Sequence, residues 1–307
     1  MKKILISSIL LLSHISFADY TVNLTAGGKI RFAGIAGTSA SLYSQKMDIR
    51  QLQKTLPLSM DERQNLMPAD LEKMSQEEID QVYLRLSSGT MPEGDYKTSV
   101  LIKGELETKL IKFARNNSFI LKALNSGTSA ICSAVNAGSD SLKCLAEFIW
   151  NGKKFYPLNA DGEIEQRNAV DKAPAYSLTQ FLDFHFTAGL KYDQQNFFGS
   201  NKYMMFPAHV FCGESMVDQT RESIVADYMF GNDFTQRGFN PKVDGLAGRN
   251  GLKIRDEIRM VRPGFYIGRA YGNKVFLLTF SMYNPDLLNQ KIVTTEDACF
   301  TAKTPRQ

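Results

Sequence analysis

The residues of this chain that can do chemistry concentrate near its C-terminal end, between Lys253 and Asn284. Arg255, Glu257 and Arg259 alternate along a predicted strand, so their side chains share one face of it. The paired donors of an arginine suit a carboxylate or phosphate group. The pattern therefore predicts a face that can hold an anionic head group, although such an alternation is also typical of a solvent-exposed strand face.

The same block reads as three strands joined by two tight turns, Pro263-Gly264 and Gly272-Asn273. If each pair forms a two-residue loop, Asp256 and Arg269 lie on the core face as diagonal neighbours. Asp256–Arg269 then reads as a structural pair more readily than a catalytic one. The predicted apolar core face consists of Ile258, Met260, Phe265, Ile267, Phe276, Leu278 and Phe280.

In this register the charged face stands over small residues, which would leave room for a ligand above the sheet. The small residues are Gly268, Ala270 and Gly272. A β-bulge in either ladder would exchange the two faces. The candidate ligand-binding residues are Arg255, Asp256, Glu257, Arg259, Arg269 and Tyr271.

A second group of candidates surrounds His209. His209 can serve as a general base, Ser215 as a nucleophile and Asp218 as the orienting carboxylate of a hydrolase. However, residues 213–217 lack the second glycine of a nucleophile elbow, and a lone histidine in an apolar strand is more typical of a core residue. His185 and His209 have no i, i+4 pairing, so the sequence predicts neither a metal site nor a cofactor.

The first 18 residues predict a secretory signal peptide. Lys2 and Lys3 precede an apolar run that ends in Ser-Phe-Ala, so the mature chain is expected to begin at Asp19. No later apolar run is long enough to span a bilayer. Loss of the two lysines takes the formal charge from +4 to +2, which is too small an excess to predict a nucleic-acid partner. The expected location is the periplasm of a Gram-negative-type envelope, or the exterior.

Four cysteines in an oxidising compartment predict two disulfides with three possible connectivities. The favoured pairing joins Cys132 to Cys144 locally and Cys212 to Cys299. A cysteine nucleophile is the alternative, and it requires a free thiolate beside a base.

The pattern of elements predicts an α+β protein with an antiparallel, barrel-like sheet. Residues 19–90 should hold a hairpin around Gly27-Gly28 and then a helical segment. Its capping boxes are Ser59 with Glu62 and Ser75 with Glu78. Residues 91–307 should form the barrel-like sheet, with helices inserted at about 105–148.

Four groups of residues carry a resemblance to a known family. They are Leu86 with Gly89, Pro92 and Gly94; Trp150-x-Gly152-Lys153-x-Phe155; Asn168; and the run from Ile254 to Gly268, I-R-D-E-I-R-x-V-x-P-G-x-Y-x-G. With these motifs, residues 80–284 resemble a family of uncharacterised bacterial proteins and are loosely similar to calycin-type barrels, the lipocalin and fatty-acid-binding class. The resemblance implies a β-barrel that closes over an apolar ligand, and it implies no reaction.

These observations predict an exported envelope protein that binds an apolar or amphipathic molecule such as a lipid. Twenty Phe and twelve Tyr suit a β-rich core or an apolar pocket. Two alternatives stay open: an esterase-like periplasmic hydrolase, and an envelope interaction protein with an exposed apolar patch.

Overall fold

In the computed structural model, the structure describes residues 17–34, 52, 55–101, 152–157, 163–171, 194–217, 221–230, 239, 244, 247–291 and 299. The strands of this part are β1 (Phe17–Asn23), β2 (Lys29–Gly34), β3 (Gly94–Leu101), β4 (Gly152–Phe155), β5 (Ile164–Val170), β6 (Gln194–Phe197), β7 (Ser200–Glu214), β8 (Glu222–Asp227), β9 (Ile254–Arg262), β10 (Phe265–Gly272) and β11 (Val275–Tyr283). Its helices are α1 (Met60–Asn65), α2 (Pro68–Lys73) and α3 (Gln76–Arg85). The helices expected at about 105–148 fall outside the described residues.

Eight antiparallel strands close into a barrel. Their order is β5-β4-β3-β11-β10-β9-β8-β7, and a further pairing of β5 with β7 closes the ring. β6 pairs with the first residues of β7 as a short hairpin beside the barrel. The predicted α+β class with an antiparallel barrel-like sheet is therefore confirmed. Closure satisfies the backbone donors and acceptors that an open sheet edge would expose.

A hairpin and the three helices precede the barrel. β1 and β2 pair around the predicted Gly27-Gly28 turn, where both glycines have positive φ. Both predicted capping boxes are present at the starts of α1 and α3. The helices pack on the outer face of β9, β10 and β11, where Ile79, Val82 and Tyr83 share an apolar cluster with Phe265 and Ile267. Within the described chain no helix has the length and apolar character of a membrane span.

The three C-terminal strands are present as predicted, but their register is not the predicted one. The Pro263-Gly264 turn is confirmed, and Arg262 pairs with Phe265. A bulge then places Tyr266, not Ile267, opposite Met260. The second turn consists of Asn273-Lys274, both with positive φ, and not of Gly272-Asn273.

The register shift changes which residues face the interior. Tyr266, Phe280 and Met282 lie inside the barrel, whereas Phe265 and Ile267 face the helices. Gly268 faces Phe280, and a Cβ at this position would overlap the Phe280 ring. The predicted single core face was therefore wrong, because it combined residues from the two faces of the sheet.

β7 carries a bulge and one predicted disulfide. The ladder to β5 has an irregularity at Phe206 and Pro207, and a proline inside a strand is typically found at such a bulge. Phe206 has a positive φ, and its amide donates to Asp244 Oδ1 over 2.8 Å. Cys212 of β7 forms a disulfide with Cys299, with a Cα–Cα distance of 5.7 Å. The Cys132–Cys144 prediction lies outside the described residues.

Candidate functional site

A fully buried polar network crosses the apolar interior of the barrel. Lys153 on β4 and Asp256 on β9 face each other from strands four places apart in the ring of eight, and therefore from opposite walls. Lys153 Nζ lies 2.9 Å from Asp256 Oδ2, and both side chains are 0% exposed. Removing two charges from water is costly, so their retention in an apolar interior marks a candidate site.

Neutral polar groups complete the network around the lysine. Lys153 Nζ donates to Tyr228 Oη over 2.6 Å and to Asn168 Oδ1 over 3.1 Å. Gln166 Nε2 donates to the same Asn168 oxygen over 2.9 Å, and Tyr228 Oη donates to Gln166 Oε1 over 2.7 Å. These five residues, Lys153, Gln166, Asn168, Tyr228 and Asp256, are called the Lys153 network below.

One donor of the Lys153 network is unsatisfied. Asn168 is 0% exposed, and its Nδ2 is buried without a hydrogen-bond partner in the structure as described. Its Oδ1 lies beside Lys153 Nζ and Gln166 Nε2, so exchanging the two amide atoms would set donor against donor. Nδ2 is thus aligned as a donor for an oxygen acceptor that none of the described residues supplies.

The surroundings of the Lys153 network shift its pKa values. Burial lowers the pKa of Lys153, and the carboxylate of Asp256 opposes part of this effect. Burial also raises the pKa of Tyr228 well above its ordinary value, and the nearby Asp256 adds to the increase. Tyr228 therefore remains a neutral hydroxyl, able both to accept from Lys153 and to donate to Gln166.

Apolar and aromatic side chains surround this polar centre. The Lys153 ammonium lies 5.2 Å from the Phe280 ring centroid and 5.3 Å from that of Tyr228, both within cation–π range. Tyr96 packs edge-on against Phe155 and Tyr266. The interior thus offers one charged, hydrogen-bonding centre inside an apolar lining.

The structure places Arg255, Glu257 and Arg259 on one face of β9, but outside the barrel. They pair with Tyr271, Arg269 and Ile267, and not with the predicted small residues. Two of those small residues, Gly268 and Ala270, belong to the opposite, interior face. The predicted space above this part of the sheet is occupied by α3, so that part of the prediction was wrong.

The contacts of these arginines are with the helices. Arg259 is fully buried, and its Nη1 donates to the carbonyl oxygens of Tyr83 and Leu86 at the C-terminal end of α3. Arg269 Nη1 forms an ion pair with Asp80 of α3, and its Nε donates to Tyr271 Oη over 3.2 Å. Because Asp256 points inward and Arg269 outward, the predicted Asp256–Arg269 pair was wrong.

Glu257 and Arg255 lie at the other edge of the same outer face. Glu257 Oε2 accepts from Ser215 Oγ over 2.8 Å, and its Oε1 accepts from the amide of Met216 over 2.7 Å. Arg255 Nε lies 3.2 Å from Glu257 Oε1. Glu257 thus fixes the segment that leaves β7, and this contact involves the serine that the sequence had suggested as a nucleophile.

His209 and Ser215 do not come together. His209 lies within β7 and Ser215 directly after its end, six residues later. At about 3.3 Å per residue this is a separation of roughly 20 Å along an extended chain. Burial lowers the pKa of His209. Asp218 lies outside the described residues, and the remaining two residues of the predicted hydrolase set do not make a nucleophile–base pair.

Sequence reasoning missed the Lys153 network as a site, although it had singled out three of its members. Lys153, Asn168 and Asp256 all belong to the motifs that carried the family resemblance. Gln166 and Tyr228 carried no signal, because a polar residue in or beside a strand shows its neighbours only after the barrel has closed. In the described part of the chain, no three His, Cys, Asp or Glu side chains are arranged as metal ligands.

Comparisons of the chain with models of protein families, with curated proteins and with solved structures found no match.

Proposed function

We propose that this chain is an exported envelope protein that binds a small apolar or amphipathic molecule inside its barrel. A polar oxygen of the ligand accepts a hydrogen bond from Asn168 Nδ2, and the apolar body packs against the aromatic lining. The observation that carries the proposal is the buried Nδ2 of Asn168, which has no hydrogen-bond partner among the residues that the structure describes. Leaving such a donor unpaired costs free energy, which a bound acceptor would recover.

The shape and chemistry of the barrel support the same proposal. An eight-stranded barrel is wide enough either to be filled by side chains or to hold one small ligand. An apolar lining with a few fixed polar groups is the usual composition of a small-molecule site. The Lys153 network provides such groups: Asn168 is held in one orientation by Lys153 and Gln166, so its donor has a fixed direction.

The decisive experiment is mass spectrometry of an organic extract from protein exported to the periplasm and purified without detergent. We expect a stoichiometric small molecule with a carbonyl, carboxyl or hydroxyl oxygen. Asn168→Asp keeps the Oδ1 acceptor but replaces the Nδ2 donor, so the ligand should be reduced or lost. Asn23→Asp makes the same chemical change at an exposed position of β1 and should retain it.

Two results would contradict the proposal. One is an empty extract from the wild-type protein, and the other is full ligand occupancy in Asn168→Asp. Circular dichroism and the melting temperature of each variant show whether it is folded, so that loss of ligand is not confused with loss of structure.

Export is the second part of the proposal, and it has its own measurement. The intact mass of the periplasmic protein should correspond to a chain that begins at Asp19. Such cleavage removes two residues of β1 but leaves the pairs from Tyr20–Phe32 to Asn23–Lys29 in place. An unprocessed chain recovered only from the cytoplasm would contradict export.

A further inference from the structure

A groove on the outer surface of the barrel forms a second concave site, separate from the Lys153 network. It has a volume of about 320 Å³ and lies between β3, the end of β11, β5 and the β6–β7 hairpin. The described residues that line it are Lys97, Thr98, Ala169, Phe197, Phe198, Ser200, Lys202 and Tyr283. This set is called the hairpin groove below. Because Lys153 lies inside the barrel and the hairpin groove outside, ligands at the two sites do not meet.

Aromatic rings form one part of the hairpin groove. Phe197 and Phe198 pack edge to face, with ring centroids 4.9 Å apart. Phe197 also lies against Gly152, where an added Cβ would come within 2.7 Å of its ring. The hairpin is thus held against the barrel wall by the buried Phe197, and the half-buried Phe198 ring is the apolar surface that a planar ligand can contact.

Phe198 has a backbone conformation that a bulky residue rarely adopts. Its φ is +46°, in the left-handed region, and it precedes Gly199 in the tight β6–β7 turn. Asparagine or glycine fits such a position without this strain. A phenylalanine at this position has a cost in free energy, and contact of its ring with a ligand would offset that cost.

Two lysines provide the charge of the hairpin groove. Lys97 is exposed, its Nζ lies 5.3 Å from the Phe198 ring centroid, and it has no ion pair with any residue of the described chain. Lys202 forms an ion pair with Asp171, whose side chain is 46% exposed. Among the described residues the Lys97 ammonium therefore has no counter-charge, and a carboxylate would be attracted to it beside the Phe198 ring.

We propose that the hairpin groove binds a small anion with an aromatic body. The carboxylate meets Lys97, and the aromatic ring packs against Phe198, which Phe197 supports from the barrel wall. At about 30 Å³ for each water-sized unit, the volume accommodates roughly ten non-hydrogen atoms. This size suits one substituted ring and excludes a long acyl chain lying wholly within the groove.

The test is titration calorimetry of the full-length mature protein with 3-phenylpropanoate, repeated with the neutral isostere 3-phenylpropanamide. We expect saturable binding of the carboxylate with one site per chain, and binding of the amide weaker by roughly tenfold, as for loss of one charge-assisted contact. Lys97→Gln should weaken carboxylate binding by a similar factor. Lys29→Gln, which removes an exposed lysine from β2, should not change it.

A second variant distinguishes a role of the Phe198 ring in binding from a role in stability. Phe198→Asn removes the aromatic ring but suits the left-handed backbone, so its melting temperature should equal or exceed that of the wild type. Binding of 3-phenylpropanoate should nevertheless be lost. Equal binding of acid and amide, or full binding by Lys97→Gln or Phe198→Asn, overturns the proposal. Binding to anionic lipid vesicles without binding to the free carboxylate overturns it as well, because the surface is then a membrane contact.

Asn168→Asp should leave 3-phenylpropanoate binding unchanged, because Asn168 lies inside the barrel. Loss of carboxylate binding in this variant, while it remains folded, would place the aromatic anion at the Lys153 network and not in the hairpin groove.

Discussion

Lys153 Nζ and Asp256 Oδ2 lie 2.9 Å apart at the centre of the barrel, although their strands are on opposite walls. This ion pair links the short W-x-G-K-x-F motif to the long C-terminal motif over a separation of 103 residues. Hydrogen bonds to Asn168 and Tyr228 satisfy further donors of the lysine. The charges therefore fix the position of the Lys153 network relative to both walls.

We expect the single substitution Lys153→Met to lower the free energy of unfolding by about 3–5 kcal/mol, because it removes one partner of a fully buried ion pair. The double variant Lys153→Met/Asp256→Leu should recover most of that loss, since it removes both buried charges. Urea unfolding of the single and the double variant measures the two free energies of unfolding.

The neighbouring Lys154 provides the control, because the side chains of its ion pair with Asp95 are each 22% exposed. Lys154→Met should cost about 1 kcal/mol or less. Equal effects at positions 153 and 154 would contradict the burial argument.

The buried arginines of β9 have a structural role that substitution can test. Arg262 Nη1 donates to the carbonyl oxygens of Arg63 and Leu66, over 2.8 and 2.6 Å, at the C-terminal end of α1. Arg262→Met leaves these carbonyls without their donor and should cost about 1.5–3 kcal/mol. Hydrogen exchange should show faster exchange of the α1 amides, whereas the exposed Arg31→Met should change stability by about 0.5 kcal/mol or less. Unchanged α1 protection in Arg262→Met would show that the helix does not depend on this contact.

Gly268 determines how Phe280 lies in the barrel. The two residues pair across β10 and β11, and the Phe280 ring occupies the space of a missing Cβ. Gly268→Ala should therefore destabilise the protein by about 1–3 kcal/mol through overpacking. Adding Phe280→Leu to Gly268→Ala should cost less than the sum of the two single effects, because the smaller side chain relieves the overlap. Thermal unfolding of the two single variants and the double variant completes this cycle, and simple additivity would contradict the assigned register.

The buried Tyr83 should make the free energy of unfolding fall as the pH rises above 10. Burial raises the pKa of Tyr83 to about 12 from an unfolded value near 10. The folded state therefore keeps a proton that the unfolded chain releases above pH 10, so this contribution is complete below pH 10 and is lost between pH 10 and 12. Between pH 9 and 11 the loss due to Tyr83 should be about 1.4 kcal/mol. Denaturant unfolding of wild type and Tyr83→Phe at both pH values measures it, and an unchanged difference between the two proteins would contradict the shift.

Local sequence patterns were sufficient for the elements and for several of their ends. The Ser75–Glu78 capping box, the Gly27-Gly28 turn and the Pro263-Gly264 turn depend on residues close together in the chain, and all three are present. The class of the fold was also predictable, because short strands with tight turns favour antiparallel pairing. The Cys212–Cys299 disulfide was one of a small number of possible pairings.

Register and burial were decided only by the tertiary structure. One bulge after Phe265 exchanged the two faces of the C-terminal strands, because side chains alternate with a period of two. From the sequence, Arg259 and Arg269 were candidate ligand contacts, but α3 covers both of them in the structure. Lys153 looked like an ordinary strand lysine, and only closure of the barrel places Asp256 opposite it. The sequence by itself determined the C-terminal strands, the Gly27-Gly28 and Pro263-Gly264 turns and the class of the fold, since these follow from neighbouring residues. The pairing of charges inside the barrel depends on strands that meet only when the ring of strands closes. No local sequence pattern predicts such a contact between distant strands.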